Sequence, residues 1–118
     1  MLAAWLGRYY GEPRYERVAQ ETARRAHDLL VGAPTGFGVL WQVAELLRAP
    51  NREIAIVGPA DAREPFEHEV ARWYLPWVVI APAERGEGLP ILEGRGVPDG
   101  AVAYLCEEMV CGLPAQTA

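Results

Sequence analysis

The sequence predicts an α/β or α+β fold in which N-terminal helices pack with a small, partly parallel sheet of three to four strands containing one β-α-β unit. Three observations predict it. Apolar residues recur at helical spacing up to Pro50, short continuous apolar runs bounded by turn residues follow, and the first two of these runs flank a stretch that returns to the helical period. A chain of 118 residues is most economically one domain, here with a helical half over 1–50 and an α/β half over 51–118.

The first helix is read from MLAAWLGRYY, where Leu2, Trp5, Leu6, Tyr9 and Tyr10 share one face before GEP interrupts. A second starts at Pro13, because proline in the first helical position sacrifices no hydrogen bond. Its expected inward stripe is Tyr15, Val18, Thr22, Ala26, Leu29 and Leu30. VGAPTGFG ends it, and a third helix carries Phe37, Leu40, Trp41, Ala44 and Leu47 up to Pro50. REIAIVG and WVVIAPA then read as buried strands around DAREPFEHEVARWYL, an amphipathic helix expected to turn Phe66, Val70, Trp73 and Tyr74 inward. Asp61 and Glu64 have the spacing of a capping box. The strand-helix-strand order implies a right-handed parallel crossover. ERGEGLPILEGRGVPDG reads as a long surface connection and AVAYLC as a third strand.

Composition excludes more than it assigns. The 51% hydrophobic and 23% charged content is that of an ordinary globular domain, and a net charge of −5 argues against nucleic acid or an anionic membrane as partner. No run of eighteen apolar residues occurs and the opening lacks a basic leader segment, so a cytoplasmic protein is expected, one in which a disulfide is not the default state. The chain contains neither serine nor lysine. That removes Ser-His-Asp hydrolysis, Schiff-base lysine chemistry and a P-loop, leaving Cys106, Cys111 or a carboxylate as the strong nucleophiles.

Cys106 and Cys111 are five positions apart, and no regular element brings such residues together. With EEMV as a four-residue hairpin loop they would face each other with Cβ atoms roughly 4.5–5.5 Å apart, close enough for a conditional disulfide. As a metal site the pair lacks two ligands, since His27 and His68 fall on separate helices, and no metal or cofactor is expected. Nor is it the C-x-x-C of a thiol oxidoreductase, and Glu107 and Glu108 would oppose thiolate formation. Gly58, a single glycine between a strand and a helix, reads as a plain turn rather than a phosphate cradle.

Taken in order, PTGFG, REIAIVG, LPILEGRG and DGAVAYLCEEMVC resemble the C-terminal portion of the thioredoxin-domain-containing proteins related to spermatogenesis-associated protein twenty. Members of that family are several times longer, with a thioredoxin-like domain, an (α/α) barrel of the six-hairpin glycosidase kind and an α/β tail. The resemblance implies that Leu2 to Leu47 match the last barrel helices and Glu53 to Cys111 the tail, with Cys106 and Cys111 on the tail's own cysteines. The matching residues include neither the thioredoxin-like domain nor most of the barrel. Neither a redox motif nor a sugar-sized cavity therefore carries over.

Three functions are weighed. A non-catalytic, assembly-dependent module would cover Leu2, Trp5, Leu6 and Tyr9 in a homo-oligomer, first of all a dimer, or against a separately encoded protein. A thiol-redox or metal function would use Cys106 and Cys111. A sugar-like ligand would sit in a cleft between the halves, using Trp41, Glu45 and Trp73.

Overall fold

A computed structural model describes all residues, 1–118. The chain forms five helices and one mixed four-stranded sheet, and it divides into two compact units, Met1–Pro50 and Asn51–Ala118.

In the helical unit α1 (Leu2–Tyr10) ends at Gly11, which takes the left-handed conformation that closes a helix C-terminus without a Cβ penalty. The Glu12 side chain then accepts from the Arg14 N–H and Pro13 opens α2 (Pro13–Arg25). The two helices cross closely at Gly7, where a Cβ would come within 3.2 Å of the Glu16 backbone nitrogen. Close approach favours small side chains in the seam, and the buried residues there are Ala4 and Ala19. The second helix is therefore rotated relative to the expected stripe, with Val18 58% exposed and Thr22 also outward. It also stops sooner, because Ala26 leaves helical geometry and a short α3 (His27–Gly32) restarts the phase, burying Leu30 but leaving Leu29 exposed.

After a 3₁₀ turn at Pro34–Gly36, α4 (Gly38–Arg48) buries Val43 and Leu46, one step around from the expected Trp41 and Ala44 face. Its C-terminus is held by Arg8, whose guanidinium donates to the carbonyls of Leu46, Ala49 and Pro50. Those oxygens have no partner within the helix, and a cation there also meets the negative end of the helix dipole.

The α/β unit is built on β1 (Arg52–Val57), parallel to β2 (Val78–Ala83) and antiparallel to β3 (Val102–Glu107), with β4 (Val110–Cys111) at the edge. The crossover from β1 to β2 is α5 (Ala60–Ala71). Register assigns the faces, since directly opposed residues share a side. Ile54, Ile56, Ala103 and Leu105 lie on the α5 side, where Ile56, Ala101 and Ala103 pack with Phe66. Glu53, Ala55, Val57, Val102, Tyr104 and Cys106 lie on the other.

That second face is covered by the segment expected to be a surface connection. Its 3₁₀ turn at Pro90–Leu92 buries Ile91 and Leu92 against Ala55, Val57, Ala81 and Val102. The residues 84–100 thus supply a core plug as well as a connection, with Leu89 and Val97 packed beside Ile91 and Leu92, which the turn-rich composition conceals.

The α5 end also differs from expectation. The helix stops at Ala71, Trp73 is 66% exposed and Tyr74 90% exposed. Pro76 disfavours helix at Leu75, so the last amphipathic turn never forms. At the other end Pro59 is the N-cap and Asp61 already lies inside the helix, so the capping box is absent.

Candidate functional site

The residues with the most chemical potential meet at the β3-β4 hairpin. Cys106 pairs with Cys111 in register and the two form a disulfide. Because Glu107 pairs with Val110 as well, the loop is the two residues Glu108 and Met109, not the four of EEMV. Both take left-handed conformations, φ 50° and 65°. Two-residue hairpins need positive φ because only such turns match the strand twist, and Asn-Gly is the usual solution. Here two residues with side chains carry it at a steric cost.

The turn is tied to the start of β1. The Glu108 N–H donates to the Asn51 carbonyl at 2.8 Å, and the Asn51 N–H donates back to Glu108 Oε1 at 3.0 Å. The Met109 N–H donates to Glu53 Oε2 at 3.4 Å, and Arg52 bridges Glu107 at 3.0 Å on the opposite face. Gly112 N–H donates to the Leu105 carbonyl, so Cys106 and Cys111 form the adjacent non-hydrogen-bonded pair, where side chains approach most closely. Pro114 has no N–H to offer, and the tail rejoins β3 only at Ala115 opposite Ala103.

Glu53 completes this constellation. It is 1% exposed and stands in the same row of the same sheet face as Val79, Cys106 and Cys111. Sequence reasoning misses it, although a signal exists: within REIAIVG it alternates in step with Ala55 and Val57, two inward residues. The two cysteines are unequally placed, Cys106 buried at 7% exposure and Cys111 half-buried.

A closed loop this short stabilises a fold by about 2 kcal/mol in the chain-entropy model. Replacing both cysteines by alanine is accordingly expected to lower the stability of the α/β unit by about 2 kcal/mol without changing its fold. Denaturant midpoints of the variant and the oxidised protein check this, and a loss above about 4 kcal/mol would mean the hairpin organises the whole sheet.

On the α5 side the sheet remains open below the helix. Phe66, Val70, Trp73, Leu75, Leu105 and the tail line an apolar cavity of about 350 Å³ there. A second depression, lined by Gly58, Arg85 and Gly96 among others, lies where β1 and β2 end. Gly58 itself is a strand-to-helix turn. Its N–H donates to the Ala83 carbonyl and its own carbonyl accepts from Arg63, so it presents no donor to an anion.

The other sequence candidates lie on separate elements. Trp41 and Glu45 stand exposed on α4 and Trp73 beyond the end of α5. Each indole N–H is already engaged, Trp41 with the Pro34 carbonyl and Trp73 with Glu69 Oε1. Of the interface candidates Leu2 is 73% exposed, while Trp5, Leu6 and Tyr9 are half-buried, with Trp5 and Tyr9 in a tilted ring contact. His27 contacts Asp28 and His68 contacts Glu64, both at the surface, and no three metal-ligating side chains converge. No helix is long and apolar enough to cross a membrane.

Fold and site together define a two-unit α/β module whose mixed sheet ends in a disulfide-closed hairpin. No family model, curated protein or solved structure matches the chain.

Proposed function

We propose that this chain is a non-catalytic assembly module, similar to the C-terminal part of the thioredoxin-domain-containing proteins related to spermatogenesis-associated protein twenty, whose helical unit is covered by a second copy of itself. The observation that carries this reading is the helical unit's surface. Only Ala4, Ala19, Leu30, Val43 and Leu46 are buried there, while Leu2, Val18, Leu29, Val31 and Val39 are each more than half exposed. Exposed apolar area of that kind is costly in water and is the usual mark of a contact surface. The resemblance points the same way, because in the family such helices pack in a ring and cover one another. On this reading the protein works in the cytoplasm, where the thiol pool would decide the state of Cys106 and Cys111.

Sedimentation or native mass over a concentration series tests it, with a reversible dimer as the expected result. Leu2 is exposed, so Leu2→Glu leaves the protomer folded and should weaken the dimer at least about a hundredfold, one leucine burial being worth about 1.5–3 kcal/mol and counted twice across a two-fold axis. A monomer at every concentration would overturn the reading. Wild-type dimerisation that Leu2→Glu leaves unchanged would move the contact away from α1.

A further inference from the structure

We propose that Cys106–Cys111 is an exchangeable disulfide, opened by dithiols through attack at Cys111, with Glu53 handling the proton of Cys106. A static staple accounts for neither of two features. The two cysteines differ in exposure, Cys106 being buried and Cys111 half-buried, so a nucleophile is expected to meet Cys111 first. And a nearly fully buried carboxyl group stands directly across the β1-β3 ladder from the less accessible cysteine. Directly opposed residues hold their Cβ atoms about 4.5–5.5 Å apart, within reach of a glutamate side chain. An apolar side chain in that row would stabilise the sheet as well or better, since a buried ionisable group carries a desolvation cost that hydrophobic packing does not.

A thiolate of the dithiol attacks Cys111 Sγ, the Cys106–Cys111 bond breaks, and Cys106 Sγ leaves with the electron pair. The leaving sulfur takes a proton from the Glu53 carboxyl, which is replenished from solvent. The second thiol of the reductant, as its thiolate, then attacks its partner sulfur in the mixed disulfide and releases Cys111, which is protonated by solvent. Two electrons pass to the protein, which becomes a dithiol, and the reductant becomes a disulfide. Reoxidation reverses each step, with Glu53 accepting the Cys106 proton.

The hairpin also gives the exchange a structural output. Glu108 and Met109 hold left-handed conformations beside the closed disulfide, and Met109 is hydrogen-bonded to Glu53. Opening the bond therefore loosens the turn at the point where the proton moves. Charged and titratable groups near it include Tyr104, two residues along β3 on the same face, with the Arg95 guanidinium over its ring, and Glu108 in the turn. Arg52 and Glu107 lie on the far face. Of the carboxyl groups named, Glu53 is the one that shares a row with the cysteines.

The test uses the intact chain with dithiothreitol as the dithiol. Reduction and reoxidation rates are measured across mildly acid to mildly alkaline pH, and the reduced thiols are alkylated and located by peptide mass. The wild-type rate should show an inflection beyond that of the reductant's own thiol, and Cys111 should be modified before Cys106. Glu53→Gln, which keeps the size and the acceptor for Met109, should slow exchange by about 100-fold and remove the extra inflection, the lower range of what a positioned acid–base group supplies. Glu53→Asp should restore the inflection in part, which a packing role would not. A disulfide that resists excess dithiothreitol in the folded protein overturns the proposal, as does equal alkylation of both thiols. Should Glu53→Gln fail to fold, the wild-type profile decides alone, and a rate that follows only the reductant's ionisation overturns the role of Glu53.

Discussion

Gly58→Ala is expected to destabilise the α/β unit by about 3–5 kcal/mol, combining backbone strain with forced overpacking. Gly58 has φ +151°, a conformation nearly closed to residues with a Cβ, and it is buried at the junction of β1 and α5. An added Cβ would stand 2.5 Å from the Gly100 carbonyl oxygen and 2.7 Å from the Ala101 Cα, both main-chain atoms. A flexible side chain could swing away from such a contact, but the backbone entering β3 cannot do so without moving a strand. Gly88→Ala is the matching control. It has φ +91° and open space around the missing Cβ, so it should lose only about 1 kcal/mol, the conformational part. Urea midpoints of the two variants separate strain from collision. Equal losses would mean that the Gly58 junction yields and that close packing there is not essential.

Leu46→Ala should cost about 2–5 kcal/mol and melt the helical unit while leaving the sheet folded. Leu46 is fully buried, and it and Leu30 are the largest of the five side chains that form this unit's interior. The sparse core explains the severity. At about 0.05–0.15 kcal/mol per residue, a unit of this size holds a stability of the same order as the loss. Amide exchange read separately for residues 1–50 and 51–118 checks this, with protection expected to vanish in the first and persist in the second. Gln42→Ala, at an exposed site of the same helix, should change little. A cost below about 1 kcal/mol for Leu46→Ala would mean that the helices are held by something other than this core.

Helix-to-strand order was legible because it rests on local periodicity. The switch at Pro50, the β-α-β unit and the parallel β1-β2 pair all follow from the spacing of apolar residues and the shortness of the runs. Rotational phase was less legible. Val18 and Trp41 fit a helical stripe by spacing alone, but which of two neighbouring stripes turns inward depends on the partner, and here Gly7 admits a close crossing that selects Ala19. The Leu46, Ala49 and Pro50 carbonyls had no sequence signal for their cap, because Arg8 reaches them from a helix that precedes them by some forty residues.

The candidate site divides in the same way. Alternation along a strand and the five-residue spacing of the cysteines determined that Cys106 and Cys111 need a turn to meet, and composition alone removed serine and lysine chemistry. Only the tertiary structure decided that the turn has two residues, that Ile91 and Leu92 plug the sheet, and that Glu53 lies beside the disulfide. The physical reason is register. The side chains a strand residue meets are set by how its ladder is offset against neighbours fifty residues away, and a shift of one residue would turn Glu53 to the opposite face.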